Sequence, residues 1–329
     1  MRPKDPAFMT RDAPERLEQT LCRASDTLAG EMGKPLAAGL YVVATPIGNL
    51  ADITLRAIST LARADIICCE DTRHSRKLLG ALSIRARLLT YNDQSGEAER
   101  ARILRHLGDG LAVALISDAG TPLISDPGYK LVAAAHANGY AVFTVPGPSA
   151  LTAALSVGGQ PTDTFLFDGF LPAKAAARRR RLQELAGVQA TLVFYESAQR
   201  LAETLADAAA AFPGRQATVC REMTKFHEQR LSGSLEELAA AARSQPLRGE
   251  IVIVIAPPTD VAQQPVEDDE IVAALGREMA SGSVRDAIDA VAEMYNIKRR
   301  RVYELAHMLK PVNRKLGRHH DETPSTKKT

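Results

Sequence analysis

Ala112-Val-Ala-Leu-Ile116, followed at once by Ser117-Asp-Ala-Gly-Thr-Pro-Leu-Ile-Ser-Asp-Pro-Gly128, is the stretch whose reading decides the fold. A short continuous apolar run suits a strand covered on both faces, as in a parallel sheet. The segment after it holds two glycines, two prolines, two aspartates and two serines. Proline fixes φ and removes a donor, while Asp and Ser bond their own backbone, so this segment neither prolongs the strand nor makes a long helix. It predicts a tight, bare-backbone loop at the carboxyl end of a buried strand, where open α/β sheets bind ligands.

Outward from that strand the same alternation repeats. Strand patterns at Leu40–Thr45, Asp65–Cys69, Leu88–Tyr91 and Ala141–Val145 are separated by helix patterns at Asp52–Ala62, Arg73–Leu79, Glu97–Leu107, Gly128–Asn138 and Ser149–Val157. Short connections in such a series mean parallel strands and crossover helices, so 39–157 is an N-terminal α/β domain. A second α/β domain, 158–258, has strands at Thr164–Phe167, Thr191–Tyr195, Gln216–Arg221, Glu228–Gly233 and Glu250–Ala256, the fourth of these antiparallel. Its helices are Ala173–Leu185, which is basic, Gln199–Ala211 and Leu235–Ala242. Pro257-Pro258 opens a polar linker over 259–268. The block 269–310 is helical: Asp269–Ala280, a helix starting at the capping box Ser283-Val-Arg-Asp286, and Lys298–Leu309. Two short helices around an Asn-containing turn, the second opening on Arg299, Arg300 and Arg301, make a helix-turn-helix pattern. Residues 1–38 read as a disordered extension with a short helix around Glu15–Leu28, and 311–329 as a basic disordered tail.

Bulk properties narrow the classes. With 329 residues, 45% hydrophobic and 24% charged, the chain has the make-up of a soluble protein with two cores. No apolar run approaches the roughly 20 residues that span a bilayer. The N-terminus lacks the basic start and apolar block of a secretory signal, so a cytoplasmic protein without membrane contact is expected. Cys22, Cys68, Cys69 and Cys220 form no CxxC or Cys/His spacing, which argues against a metal site. Net charge is only +2, yet Asn296–Thr329 carries ten basic residues against three acids, a clustering suited to phosphate contacts or to a solvated tail.

Other segments stand at strand ends. Thr45-Pro-Ile-Gly-Asn49 is either a simple turn or a close backbone approach to a ligand. Glu70-Asp-Thr-Arg73 offers Asp71 toward the same crevice, or as an ion-paired helix cap. Pro146-Gly-Pro-Ser-Ala150 is a stiff turn ending in a helix cap. Phe194-Tyr-Glu-Ser197 and Arg221-Glu-Met-Thr-Lys-Phe-His-Glu228 end strands of the second domain. Neither GxGxxG nor a Walker loop is present. Three Gly/Pro loops converging on one sheet end indicate a small-molecule site.

In order, ATPIGNLADITLRA, CEDTRHSRKLL, SDAGTPLISDPG, VPGPSA, FDGFLP, FYES and REMTKFHE resemble the tetrapyrrole-methylase superfamily of S-adenosylmethionine enzymes. Within it they are similar to the branch that methylates the ribose 2′-hydroxyl of a cytidine in 16S ribosomal RNA of the small subunit. The likeness covers about 39–256 and, more weakly, the helical block. It implies two α/β domains of the tetrapyrrole-methylase type with the ligand cleft between them, a homodimer, S-adenosylmethionine as methyl donor and no metal. The implied donor contacts are Pro46, Ile47, Gly48, Asn49, Asp118, Ala119, Gly120, Thr121, Ile124, Ser149, Ala150, Glu196 and Met223. A general base would assist a weak hydroxyl nucleophile. Asp71, Glu196, Glu222 and Lys225 are the candidates, of which Glu222 and Lys225 are placed beside the acceptor ribose. Arg178–Arg181 and Lys298–Arg301 are expected on RNA phosphates. A precorrin-type methylase, a protein methylase of the diphthamide pathway and a ligand-sensing nucleic-acid-binding regulator remain as alternatives.

Overall fold

The computed structural model describes residues 13–92, 95–258, 268–280, 282–295, 297 and 299–308. The chain divides into two compact units, Met1–Pro258 and Thr259–Thr329.

The first unit opens on a helix, α1 (Ala13–Met32). It is longer than the short helix expected around Glu15–Leu28, so much of the extension is helical rather than disordered. The parallel sheet that follows contains β1 (Gly39–Val43), β2 (Ile66–Cys69), β3 (Leu88–Thr90), β4 (Ala112–Leu115) and β5 (Val142–Val145), in the order β3-β2-β4-β1-β5. Its helices are α2 (Leu55–Arg63), α3 (Thr72–Ala81), α4 (Glu97–Gly108) and α5 (Tyr129–Ala137). The period-2 geometry of a strand divides the apolar runs between two cores. Tyr41, Val43, Ile67, Cys69 and Ala114 pack with Ala57, Leu61 and Leu79 on one face. Leu40, Ile66, Cys68, Val113 and Leu115 pack with Ile103, Leu107, Leu131 and Ala135 on the other. Burial pushes the Cys68 thiol up to about 12, which makes it a core hydrophobe rather than a nucleophile. α2 begins later than the Asp52–Ala62 pattern suggests, because Leu50–Asp52 forms a separate 3-10 turn. Thr54 then caps α2, accepting from the Ala57 amide at 3.0 Å.

The connection from β1 runs toward β2 and that from β4 toward β5, on opposite sides of the adjacent β1/β4 pair. Their carboxyl ends therefore form a topological switch point, where a crevice opens.

α6 (Ala150–Gly158) joins the two halves. Its Ala154 and Leu155 pack on Val193, Cys220, Val252 and Val254 of the second sheet. That sheet contains β6 (Phe165–Phe170), β7 (Thr191–Ser197), β8 (Gln216–Arg221), β9 (Gln229–Ser234) and β10 (Glu250–Ile255), in the order β6-β7-β10-β8-β9. Only β6 and β7 pair in parallel; β7/β10, β10/β8 and β8/β9 are antiparallel. The single antiparallel strand expected over 228–233 is thus part of a mostly antiparallel sheet. Its other face carries α7 (Ala175–Leu185), α8 (Leu201–Ala211) and α9 (Leu235–Ser244) over a core that includes Leu182, Phe194, Leu205, Phe212, Leu235 and Ile253.

The second unit holds α10 (Asp268–Met279), α11 (Val284–Met294) and α12 (Arg299–Met308) around Ile271, Leu275, Ile288, Val291, Val302 and Leu305. Ser283 caps α11, accepting from the Asp286 amide at 3.2 Å. The expected polar linker, apart from Asp268, and the basic tail lie outside the described residues.

Candidate functional site

The loops leaving β1, β4 and β5 are bonded into one ledge. Thr45 and Gly120 exchange backbone hydrogen bonds, 2.8 Å from Thr45 N and 3.0 Å from Gly120 N. Thr121 Oγ1 donates to the Pro148 carbonyl at 3.0 Å, and the Asp71 amide donates to Asp118 Oδ1 at 3.3 Å. Gly120 sits at φ +82°, and a Cβ there would stand 3.3 Å from Ile47 Cγ2. Only glycine holds that turn without strain.

The facing wall comes from one end of the second sheet, because β7 and β8 end where the antiparallel β10 begins. Phe170, Tyr195, Ser197, Met223, Gly249 and Val252 belong to it. The Tyr195 hydroxyl accepts from the Leu151 amide at 3.2 Å, tying the start of α6 to β7. Its ring meets Phe167 and Phe170 edge-on at 4.8 and 5.7 Å between centroids. Burial raises the phenol above its ordinary value, so it stays protonated.

Between the walls lies a cleft of about 440 Å³, within the range of small-molecule sites. Ile47, Ile124, Phe170, Met223 and Val252 make it largely apolar. Asp118, Asp126, Glu196 and Glu250 line it, and among the described residues no lysine or arginine does. An apolar slot of that sign favours a cationic ligand over a phosphorylated one. Leu123, Ser125, Glu222 and Thr224, at φ between +50° and +75°, flank lining residues. Such strain persists where the surrounding structure imposes it.

Of the donor contacts expected from sequence, Ile47, Asp118, Ala119, Gly120, Thr121, Ile124, Ser149, Ala150, Glu196 and Met223 stand in the wall. Pro46, Gly48 and Asn49 do not. Asn49 caps the 3-10 turn by accepting from Ala51 N at 3.0 Å. Gly48 faces Lys225 and Thr224: a Cβ on it would meet Lys225 Cγ at 2.5 Å. The Glu196 carboxylate is committed to its own half, accepting from Thr204 Oγ1 at 2.6 Å, Ser197 N at 2.7 Å and Arg200 at 3.2 Å. Gly249, Glu250 and Val252 were not anticipated. Their stretch reads as an ordinary buried strand, and only the glycine ahead of an apolar run hints at a close approach.

Among the acceptor candidates, Lys225 Nζ lies 2.9 Å from Glu222 Oε1 and 3.1 Å from Glu250 Oε2. Burial works against the charge on Lys225, but hydrogen bonds to Glu222 and Glu250 prevail and hold the ammonium above its ordinary pKa. The Glu250 amide, 3.0 Å from Glu222 Oε1, and then Lys225 hold the Glu222 carboxyl below its usual value. The pair is therefore held as an ammonium and a carboxylate. Asp71 serves as the cap of α3, accepting from Arg73 N at 2.7 Å and pairing with its guanidinium.

The two basic clusters are largely neutralised by their own units. Arg178 is buried, 2% exposed, and bonds Asp207 at 2.7 Å; Arg179 bonds the same carboxylate at 2.7 Å. Arg181 pairs with Asp168 and Glu184. Arg299 pairs with Asp289, Arg300 with Glu304 and Arg301 with Asp268. Lys298 lies outside the described residues. Among the described residues no cluster of three His, Cys, Asp or Glu could hold a metal ion, and no helix is long and apolar enough to cross a membrane.

The family model for tetrapyrrole (corrin/porphyrin) methylases matches residues 39–239. A protein of Mesorhizobium japonicum named ribosomal RNA small subunit methyltransferase I is 47% identical over 276 residues, spanning 83% of this chain and 94% of the relative. A Rickettsia prowazekii protein of the same name is 41% identical over 277 residues, spanning 84% and 98%. Among solved structures, cobalt precorrin-4 methyltransferase matches with a TM-score of 0.50 at 17% identity, over 66% of this chain and 94% of that one. The methyltransferase CobJ matches at 0.51 and 18%, over 67% and 94%. These two likenesses show the shared fold.

Proposed function

The chain belongs to the tetrapyrrole methylase family, and from that premise we propose that it transfers a methyl group from S-adenosylmethionine to the ribose 2′-hydroxyl of a cytidine in 16S ribosomal RNA. The observation that carries the RNA reading is the 47% identity along 94% of a small-subunit ribosomal RNA methyltransferase. Cobalt precorrin-4 methyltransferase and CobJ are only 17% and 18% identical.

The cleft suits this donor. Its carboxylates complement a sulfonium and an amino group, and its apolar walls suit a purine. The start of α6, where Ser149 and Ala150 face the cleft, suits a carboxylate. When bound, S-adenosylmethionine supplies a methyl group already activated on sulfur. The chain's task is then to align an acceptor oxygen with it. As the acceptor oxygen bonds to the methyl carbon and the carbon–sulfur bond breaks, the hydroxyl proton passes to bulk water, and Lys225, kept protonated by Glu222 and Glu250, would stabilise the oxygen while it is partly deprotonated. Glu222 is the positioning residue for Lys225. The protein is further proposed to be a homodimer and to work in the cytoplasm.

The test is incubation of the full chain with tritiated donor and isolated small ribosomal subunits, then digestion to nucleosides. Label in 2′-O-methylcytidine is expected. Label in a base-methylated nucleoside, or in a tetrapyrrole acceptor and not in RNA, overturns the reading. Duplex-DNA binding without methyl turnover would point instead to a ligand-sensing regulator.

A further inference from the structure

We propose that a second groove, continuous with the cleft, seats the sugar-phosphate backbone of the acceptor RNA, with Arg243 and Arg248 on its phosphates; this rests on the RNA reading above. The groove encloses about 850 Å³ and shares Ser197 and Gly249 with the cleft. Its apolar lining includes Ala202, Ala242 and Leu247, and Gln199, Arg243 and Arg248 supply polar groups. Among the described residues no aspartate or glutamate lines it.

The two cavities thus differ in charge. Among the described residues the cleft is lined by four carboxylates, of which Glu196 and Glu250 pair with Arg200 and Lys225 behind the wall, and by no basic side chain, whereas the groove is lined by two guanidinium groups and no acid. An acid-lined cleft repels a phosphate chain and accepts a cationic donor. The neighbouring groove does the reverse. Arg243 and Arg248 are exposed, and among the described residues neither forms an ion pair with an acid, unlike Arg178–Arg181 and Arg299–Arg301. They also stand on held backbone. Arg243 is in the last turn of α9, and the Arg248 carbonyl accepts from the Arg221 guanidinium.

The junction is kept open by a glycine. Gly249 sits at φ +97°, and a Cβ there would fall 2.4 Å from Glu222 Oε1. A side chain at 249 would displace the carboxylate that holds Lys225. RNA read outside a duplex is recognised through its backbone and splayed bases. A strand lying in the groove would present one nucleotide at the Ser197/Gly249 junction, next to the Glu222–Lys225 pair.

The test uses the full chain, a fluorescein-labelled cytidine dodecamer read by anisotropy, and the variants Arg243→Glu, Arg248→Glu and their combination. The double variant is expected to weaken binding at least about tenfold and to flatten the salt dependence by about 1.4 in the log-log slope, roughly 0.7 for each phosphate no longer neutralised. Arg102→Glu on α4 carries the same charge change as either single variant elsewhere on the surface and is expected to shift binding less than about twofold. Calorimetric binding of S-adenosylhomocysteine, unchanged in the double variant, reports an intact cleft. An unaltered dodecamer affinity and salt slope, or an equal loss in Arg102→Glu, overturns the proposal. Methyl transfer to small ribosomal subunits is measured in parallel. If the wild-type chain methylates them and the double variant shows the same KM, the groove assignment fails and the function stands. If the wild-type chain methylates no RNA, yet the double variant loses dodecamer binding, the function fails and the groove stands as an RNA seat.

Discussion

Gly48 lies directly against the side chain of Lys225, so that a Cβ on residue 48 would stand 2.5 Å from Lys225 Cγ and 2.9 Å from its Cε. The first residue follows a strand of the parallel sheet, and the second lies on the loop after β8. Their contact packs the stem of Lys225, whose ammonium is bonded to Glu222 and Glu250, against the loop after β1. Gly48→Ala is expected to lower kcat by about tenfold or more, the effect of a misplaced group near the reacting atoms. S-adenosylhomocysteine affinity should change little, because Gly48 is outside the cleft wall. Single-turnover transfer and calorimetry on the same preparation check this. Equal loss of both would mean that the residue serves the donor instead.

The Glu222–Lys225 pair has a pH signature. The folded Glu222 pKa is depressed, so its contribution to stability is present above the unfolded value, about 4.3 for Glu, and is lost as pH falls through the folded one. The Lys225 pKa is raised, so its contribution is complete below the unfolded value, about 10.4, and fades only as pH rises through the folded one. Wild-type minus Glu222→Gln stability is therefore expected to be flat from about pH 5 to 9 and to shrink in acid. Urea titrations across that range measure it. In the same window kcat should show no alkaline loss assignable to Lys225.

Arg178 and Asp207 form a pair with side-chain exposures of 2% and 8%. Asp207→Ala would leave a buried guanidinium without its main partner, an error that costs about 3–5 kcal/mol. The exposed Arg180, 3.7 Å from Glu184, is expected to cost less than about 1 kcal/mol when replaced by alanine. Denaturant unfolding of both variants checks the contrast. It also separates a structural role for this helix from the phosphate-binding role expected from its sequence.

Gly120→Ala forces a Cβ onto a residue at φ +82°, close to Ile47. Its target is the ledge that Thr45 and Gly120 build together. The expected result is S-adenosylhomocysteine binding weakened by about tenfold or more, with about 1–3 kcal/mol of backbone strain. Calorimetry and thermal unfolding give the two readouts.

Much of the fold was legible because the chemistry was local. Ala112–Leu115 is buried along its whole length, as a continuous apolar strand requires, and its glycine-rich successor does line the cleft. Asp71 carried two readings of equal standing, and the hydrogen bond to Arg73 N decided for the cap. The facing wall was harder to see. Gly249 and Glu250 reach the cleft only because β10 runs antiparallel between β7 and β8, a pairing that no residue in Glu250–Ile255 announces. The basic helix misled for a similar reason. Asp207, which neutralises Arg178 and Arg179, lies on the next helix, where sequence spacing does not show that it is near.

α6 belongs by sequence to the first half, yet its Ala154 and Leu155 find their packing on β7, β8 and β10. During synthesis that helix leaves the ribosome roughly a hundred residues before Val252 and Val254 exist to cover it, at the usual pace several seconds. The growing chain therefore has no finished cleft until β10 is inserted. A fragment cut near residue 158 would display an uncovered greasy helix rather than a working half-enzyme. Competence of the cleft therefore waits for β10, made about a hundred residues after α6.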